Sequence, residues 1–308
     1  MTSSPSQTMS EPPLDVSIII STKDRCADLE RMLAHMGRAR VPDGWRAELI
    51  VVDNGSSDDT KRVVARAKLA DIEVRYAFEP RRGKSHALNT GVSMSRGKAL
   101  LMTDDDVHVP VNWIEDMCRP IISGAADAVQ GGIRLAPHLE RPWLRDGLRV
   151  WVAAVEDPKH PPEGLVGANM AASRRAIDLV GPYDPRLGPG ASGNYEDTKL
   201  GWDLTQAGLK ILYRPDIAVE HNFDADRLTI AAFMSAARRM AVSRAIVERE
   251  RDPANSRPSL RTLLAELPGL AWRSLTQLTR LAANRQPDAA FIARYYRLKL
   301  WQELRREA

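Results

Sequence analysis

Four short apolar runs, three of them closed by polar clusters, restrict this chain more than any other feature. Val16-Ser17-Ile18-Ile19-Ile20 leads into Ser21 to Asp24, Glu48-Leu49-Ile50-Val51-Val52 into Asp53-Asn54-Gly55-Ser56-Ser57, and Lys98 to Thr103 into Asp104-Asp105-Asp106. The remaining run is Ile72 to Phe78. Aliphatic and β-branched runs of this length read as buried strands. Helical stretches lie between them. Residues 24–37 carry Leu29, Met32, Leu33 and Met36 at helical spacing, a second helix begins near Thr60, and a third spans 84–95 ahead of Gly97. Strands alternating with helices predict a mostly parallel, Rossmann-like central sheet with helices on both faces. In such sheets ligands bind beyond the carboxyl ends of the strands, where all three polar clusters fall.

The later chain is less regular. Residues 129–134, 167–172 and 210–213 read as strands, 141–155 as a short helical region and 196–207 as a helix. From residue 226 the pattern is helical, with candidates at 226–251, 259–284 and 288–306 separated by Asp252-Pro253 and Gln286-Pro287, and a kink at Pro268-Gly269. The expected organisation is a disordered Ser/Pro-rich segment at 1–14, one α/β domain at 15–225, and a helical C-terminal extension at 226–308.

With 308 residues, 44% of them hydrophobic, the chain can bury a sizeable core. The net charge of +4 is uneven: from Arg227 onward there are 16 Lys/Arg against 7 Asp/Glu. A basic tail suits an anionic surface or a solvated helical face equally. Trp272, Leu275 and Leu278, and then Phe291, Tyr295, Leu298 and Trp301, fall on one side of their helices among arginines. Such stripes fit a core, a homodimer interface or peripheral contact with a membrane. Cys26 and Cys118 make no disulfide framework, and the start of the chain lacks the basic and apolar regions of a signal peptide, so a cytoplasmic location is expected. No apolar run is long enough to span a bilayer. Nothing but the tail's charge favours nucleic acid.

Three adjacent carboxylates after an apolar strand repel one another unless a cation offsets them. Mg²⁺ and Mn²⁺ take oxygen ligands and share them with substrate phosphates. A solvated acidic loop is the plain alternative. Asp53 opens a turn at a strand end, where it could accept hydrogen bonds from a ligand or simply cap the next helix. Arg81-Arg82-Gly83-Lys84 precedes a helix, an arrangement that favours phosphate, but the spacing is not that of a P-loop. Glu196-Asp197 begins a helix after the Gly-rich 188–194 stretch, which could close over a substrate, and Asp197 could serve as a general base. His221 gains weight only as a further ligand for a carboxylate-held ion.

Taken in order, five segments resemble glycosyltransferase family 2, whose catalytic domain has the GT-A fold. They are Val16 to Arg25, Val51 to Asp58, Gly83 to Gly91, Asp104-Asp105-Asp106, and Glu196-Asp197 with His221 downstream. The resemblance covers about residues 15–224. It implies an inverting transfer of a sugar from a nucleoside-diphosphate sugar, UDP being the commonest partner, to an acceptor hydroxyl on a glycan, a lipid-linked glycan or a small molecule. It implies that Thr22, Asp24, Arg25 and Asp53 line the base and ribose, and that Arg81 and Lys84 lie near the base or diphosphate. Asp104 and Asp105 would meet the nucleotide-sugar. Asp106 and His221 would hold Mg²⁺ or Mn²⁺. Asn169, within Gly167-Ala168-Asn169-Met170, and Glu196 would border the sugar, and Asp197 would be the catalytic base. Lys23-Asp24 departs from the Tyr/His-Asn that family members often carry before the arginine. A nucleotidyltransferase and a non-catalytic sugar-nucleotide-binding module are the competing classes.

Overall fold

A computed structural model describes residues 14–251 and 287–305. The first half is built as the periodicity predicts. Strands β1 (Leu14–Thr22), β2 (Ala47–Asp53), β3 (Ile72–Phe78) and β4 (Gly97–Asp104) pair in parallel, with helices α1 (Cys26–Met36), α2 (Thr60–Arg66) and α3 (Lys84–Met94) between them. Leu14, expected in the disordered 1–14 segment, belongs to β1; the rest of that segment lies outside the described residues. Helix α1 starts at Cys26 rather than at 24, because Asp24 takes a positive φ of 51° and Arg25 an extended φ of −139°.

The second half adds β5 (Val107–His108), α4 (Trp113–Ile122), β6 (Ala128–Leu135), α5 (Asp146–Arg149), β7 (Asn169–Ser173), α6 (Arg174–Val180), α7 (Glu196–Gln206) and β8 (Ile211–His221). The sheet order is β3-β2-β1-β4-β7-β6-β8-β5. Strand β7 runs antiparallel to both β4 and β6, and β5 antiparallel to β8, so the parallel character belongs to the N-terminal half and to the β6–β8 pair. β1 is buried on both faces. Ile18 and Ile20 pack with Leu29 and Met32 of α1 and Trp113 of α4; Ile19 points the other way, toward Leu88 of α3, Ile177 of α6 and Leu200 of α7. The period of two sends alternate residues to opposite layers. Gly91 lets α3 approach the sheet, since a Cβ there would lie 2.5 Å from Ile19 Cγ2.

Three local readings change. The strand predicted at 210–213 runs on to His221, carried past Pro215 by a bulge: the register jumps from Gly131–Arg214 to Gly132–Ala218. A Cβ at Gly132 would lie 2.3 Å from the Pro215 carbonyl oxygen, so the bulge needs glycine there. Residues 141–155 hold only the four-residue α5 and a 3₁₀ turn at Val150–Val152. Beyond β8, a 3₁₀ turn at Ala225–Leu228 delays α8 to Ile230–Arg251, and Ala289–Arg305 forms α9.

Helices α8 and α9 pack on each other and onto the end of the sheet. Phe233 of α8 and Phe291 and Ile292 of α9 join Leu135, Leu148 and Phe223 in one buried cluster. Phe291 of the predicted stripe is buried, and Tyr295, Leu298 and Trp301 are half-buried. The candidate helix at 259–284, with Trp272, Leu275 and Leu278, lies outside the described residues. No described helix is long and apolar enough to cross a membrane.

Asn169 knits the two halves together. Its Oδ1 accepts from Trp113 Nε1 at 2.8 Å, and its Nδ2 donates to the Gly132 and Ile217 carbonyls at 2.7 and 2.8 Å, all in the dry interior. Asn169→Leu strips partners from three buried groups, each worth about 1–3 kcal/mol when orphaned. Urea unfolding should show it destabilised by at least ~3 kcal/mol relative to the parent, whereas a loss below ~1 kcal/mol would mean water replaces the amide.

Candidate active site

The site begins with strand register. β1 and β4 are neighbours with Ser21 opposite Asp104, so Thr22 and the acidic triplet emerge side by side. Thr22 Oγ1 donates to Asp105 Oδ2 at 2.7 Å. Arg25, just ahead of α1, spreads its guanidinium across two carboxylates: Nη1 lies 3.0 Å from Asp105 Oδ1 and Nη2 2.9 Å from Asp106 Oδ2. On the far side, β8 pairs with β5 so that His221 sits opposite Val107, and Asn222 N donates to the Asp106 carbonyl at 2.8 Å. This brings His221 Nε2 to 3.5 Å from Asp106 Oδ1. Burial pushes the Asp105 carboxyl up to about 7, against Arg25. Burial also opposes ionisation of Asp106, but His221 and Arg25 outweigh it and hold that carboxyl well below the usual range.

A second cluster faces the first. Lys84, at the start of α3, donates from Nζ to Asp104 Oδ1 at 2.5 Å and lies 3.7 Å from Glu196 Oε1. Asp197 Oδ2 accepts from Gly167 N at 2.6 Å and its Oδ1 from Thr198 N at 2.7 Å. Gly167 borders both groups: a Cβ there would make ordinary contact, 3.4 Å from Asp197 Oδ2 and 3.7 Å from Lys84 Nζ. Burial would depress Lys84, yet Asp104, Glu196 and Asp197 raise it well above its ordinary value. Burial raises both Glu196 and Asp197, Lys84 opposing, so the pair is more basic than free carboxylates. The Gly-rich stretch is packed between these parts. The Pro189 carbonyl accepts from Lys84 N, Gly190 abuts Gly83, and Asn194 N donates to Ser243 Oγ of α8.

These groups line one cleft of about 710 Å³. Of the residues singled out from the sequence, Thr22, Arg25, Lys84, Asp104, Asp105, Asp106, Glu196, Asp197 and His221 share its wall. Four do not reach it. Asp53 is buried behind it, its carboxylate accepting from Ser56 N and Tyr76 Oη. Asp24 turns outward to Ser57 N and Oγ, which lower its pKa. Arg81 is drawn aside by Glu79, leaving Arg82 on the wall. Asn169 is the buried strut described above. Sequence reasoning missed Lys23, Asn54, Tyr195 and Arg227. Asn54 sits beside the highlighted Asp53; its side chain accepts from Gly83 N and donates to the Glu79 and Arg81 carbonyls, tying the β2 turn to the start of α3. Tyr195 takes a positive φ of 76° ahead of Glu196, and no residue type advertises that conformation. Arg227 lies 3.9 Å from Asp106 across 121 residues of sequence, a proximity that only the fold creates.

Asp106 and His221 are suitable donors for a divalent ion. Among the described residues no group of three or more His, Cys, Asp or Glu side chains is arranged to hold a metal. Two donors suit an ion that keeps waters and takes its remaining ligands from substrate phosphates. The buried His221 Nδ1 has no hydrogen-bond partner among the described residues, while its Nε2 faces Asp106. The residues fit Mg²⁺ or Mn²⁺ delivered with a diphosphate.

The Lys84 cluster generates a stability test. Lys84→Met leaves buried carboxylates without their cation, which typically costs ~3–5 kcal/mol. Losing it raises the folded-state pKa of Glu196 and Asp197 further above their unfolded values. Such groups favour the unfolded chain increasingly as pH rises above the ordinary carboxylate range. The drop in melting temperature relative to the parent should therefore be larger at pH 8 than at pH 4.5; an equal drop at both would uncouple Lys84 from these carboxylates.

Known proteins match this chain at two levels. The sequence profile of the family described as Glycosyl transferase family 2 matches residues 17–178. The glycosyltransferase AglE of Haloferax volcanii is 29% identical over 119 residues, 38% of this chain and 39% of the relative. The pre-mycofactocin glycosyltransferase of Mycobacterium tuberculosis is 25% identical over 214 residues, 68% of this chain and 43% of the relative. The chain thus spans about two fifths of the length of both curated relatives. In structure it resembles the mannosyltransferase PcManGT from Pyrobaculum calidifontis, solved with GDP-Man and Mn²⁺, at a TM-score of 0.59 and 20% identity, covering 95% of this chain and 90% of that one. That likeness shows the GT-A fold expected from the five segments. With the profile matched over more than half of its length, including β2 to β4 and the acidic triplet, the chain belongs to glycosyl transferase family 2.

Proposed function

We propose that this protein is an inverting glycosyltransferase that moves a sugar from a nucleoside-diphosphate sugar to an acceptor hydroxyl. One observation carries the reading: a single cleft holds the Asp106–His221 pair on one side and Asp197 on the other, with Lys84 linking Asp104 to the Glu196–Asp197 end. A diphosphate needs cations, and an attacking hydroxyl needs a base. Residues 15–225 form the catalytic unit of this proposal and 226–308 its extension, of which the described helices α8 and α9 lie on the acceptor side.

The base and ribose would lie against Thr22, Lys23, Asn54 and Gly55, with UDP the expected nucleotide. The diphosphate would face Lys84, Arg25 and Arg227, which together supply three cationic side chains to a group of two to three negative charges. Asp106 and His221 would hold Mg²⁺ or Mn²⁺, which when bound neutralises charge developing on the leaving diphosphate; the Mn²⁺ in the PcManGT complex supports this assignment. Asp197 accepts the proton of the acceptor hydroxyl as that oxygen attacks the anomeric carbon. The bond from the anomeric carbon to the diphosphate oxygen breaks with its electron pair, and the nucleoside diphosphate departs. A single displacement from the opposite face inverts the configuration. The two backbone N–H groups that point at Asp197 keep its carboxylate aimed, while burial keeps it basic. Lys84 stabilises the leaving group electrostatically without moving a proton.

A panel of UDP- and GDP-sugars, each with and without Mn²⁺, identifies the donor through its rise in melting temperature. With that donor, Asp197→Asn should lower transfer by ~10²–10⁴-fold while donor affinity stays within a few-fold. Undiminished transfer removes Asp197 from the base role, and release of pyrophosphate in place of nucleoside diphosphate would favour a nucleotidyltransferase. Asp106→Ala should weaken donor binding in Mn²⁺ far more than in its absence. Equal loss in both conditions ends the metal assignment.

A further inference from the structure

Behind Asp197 lies a second chamber of about 660 Å³, bounded by the 150–155 turn, the start of α7, and helices α8 and α9. It meets the donor cleft at a neck shared by Ala153, Val166, Asn194, Tyr195, Asp197 and Arg227. Its far walls are apolar, formed by Trp151, Val152, Val155, Ala236, Met240 and Tyr296. Two of the three non-glycine residues with positive φ among the described residues, Ala153 at 57° and Tyr195 at 76°, stand at the neck. Strained backbone of this kind persists where the surrounding structure enforces a functional shape.

The chamber's charges are not balanced alike. Arg244 is answered by Glu248 at 2.6 Å and Glu163 at 3.1 Å. Arg239, at the rim, meets no carboxylate among the described residues; its guanidinium donates to Ser235 Oγ, and its stem packs over Gly193. Arg227 stacks on Phe223 at 4.4 Å and reaches Asp106 only at 3.9 Å. Burial holds its guanidinium below the usual range, with Asp106 opposing. Of these cations Arg239 is the one with no carboxylate partner among the described residues, whereas Arg227 keeps its longer contact with Asp106. Several of the chamber's polar groups are already engaged, Glu163 by Arg244 and Ser235 by Arg239, while the Asn194 amide oxygen and the Tyr296 hydroxyl lack a partner among the described residues.

We propose that this chamber binds the acceptor, and that the acceptor is an amphiphile: a hydroxyl compound with an aromatic or aliphatic body and one anionic group, carboxylate or phosphate, received by Arg239. The proposal rests on Asp197 being the base, because that residue joins the two chambers. The hydroxyl lies at the neck, the apolar body fills the pocket between α8 and the 150–155 turn, and the anion sits at the cationic rim. A volume of this size suits a drug-sized molecule.

Ligand-observed saturation-transfer NMR on the full chain, with no donor present, tests binding apart from catalysis. Phenyl β-D-glucuronide should receive saturation and glucose should not. Phenyl β-D-glucoside should bind more weakly than the glucuronide, and Arg239→Gln should bring the two to about equal affinity. Ala236→Trp, or Met240→Gln should the first variant fail to fold, should weaken both aryl ligands at least 10-fold. Competition by phenylacetate against geranyl phosphate then separates a carboxylate small molecule from an isoprenoid phosphate. With the donor from the thermal-shift panel, phenyl β-D-glucuronide should outperform glucose as acceptor by at least 10-fold in kcat/KM. Equal saturation of glucose and the glucuronide, or an undiminished signal in the chamber-filling variants, overturns the proposal. A panel without any donor, beside intact NMR binding, would instead fault the transferase reading and leave the chamber's ligand standing.

Discussion

Five carboxylates gathered at one end of a sheet are the constraint around which this molecule is organised. Asp104, Asp105, Asp106, Glu196 and Asp197 line one cleft, and most of them are removed from water. Carboxylates this close destabilise a fold unless cations or donors meet them. Two side chains do most of that work. Arg25 bridges Asp105 and Asp106, and Lys84 bridges Asp104 to Glu196. The energy that would hold a diphosphate is therefore already present as unspent attraction and repulsion between fixed groups. A site arranged in advance for charge is the usual source of electrostatic catalysis.

Backbone, more than side-chain choice, sets the distances. β1 and β4 are adjacent, so the acidic triplet lies beside Thr22. The Pro215 bulge lets β8 travel on to His221, and pairing with β5 then delivers the imidazole to Asp106. Glycines serve where two chains must touch: Gly132 beneath the bulge, and Gly167 against the Asp197 carboxylate. A side chain at Gly132 would force the Pro215 backbone aside and disturb the bulge that carries β8 on to His221.

The C-terminal helices bind the architecture to specificity. Phe233, Phe291 and Ile292 anchor α8 and α9 to the sheet end, and the same helices present Ala236, Arg239, Met240 and Tyr296 to the second chamber. Asp197 stands at the neck between the first cleft and the second chamber.

The alternation of apolar runs and amphipathic helices was enough to read the parallel half of the sheet, its two covered faces and the end at which the polar clusters gather, because burial on both faces writes itself into local hydrophobic pattern. The acidic triplet, Glu196-Asp197, Lys84 and His221 were legible by residue type and order. Local pattern carries no information about which hydrogen bonds a carboxylate will find, so Asp53 and Asn169 looked like site residues and proved to be engaged elsewhere, by Tyr76 and Ser56 and by Trp113, Gly132 and Ile217. Residue pattern alone determined the layers and the chemistry on offer. Tertiary structure decided which groups face one another, including Arg227 near Asp106 and the chamber behind Asp197, because contacts between distant segments depend on register, bulges and helix docking that no stretch of neighbouring residues encodes.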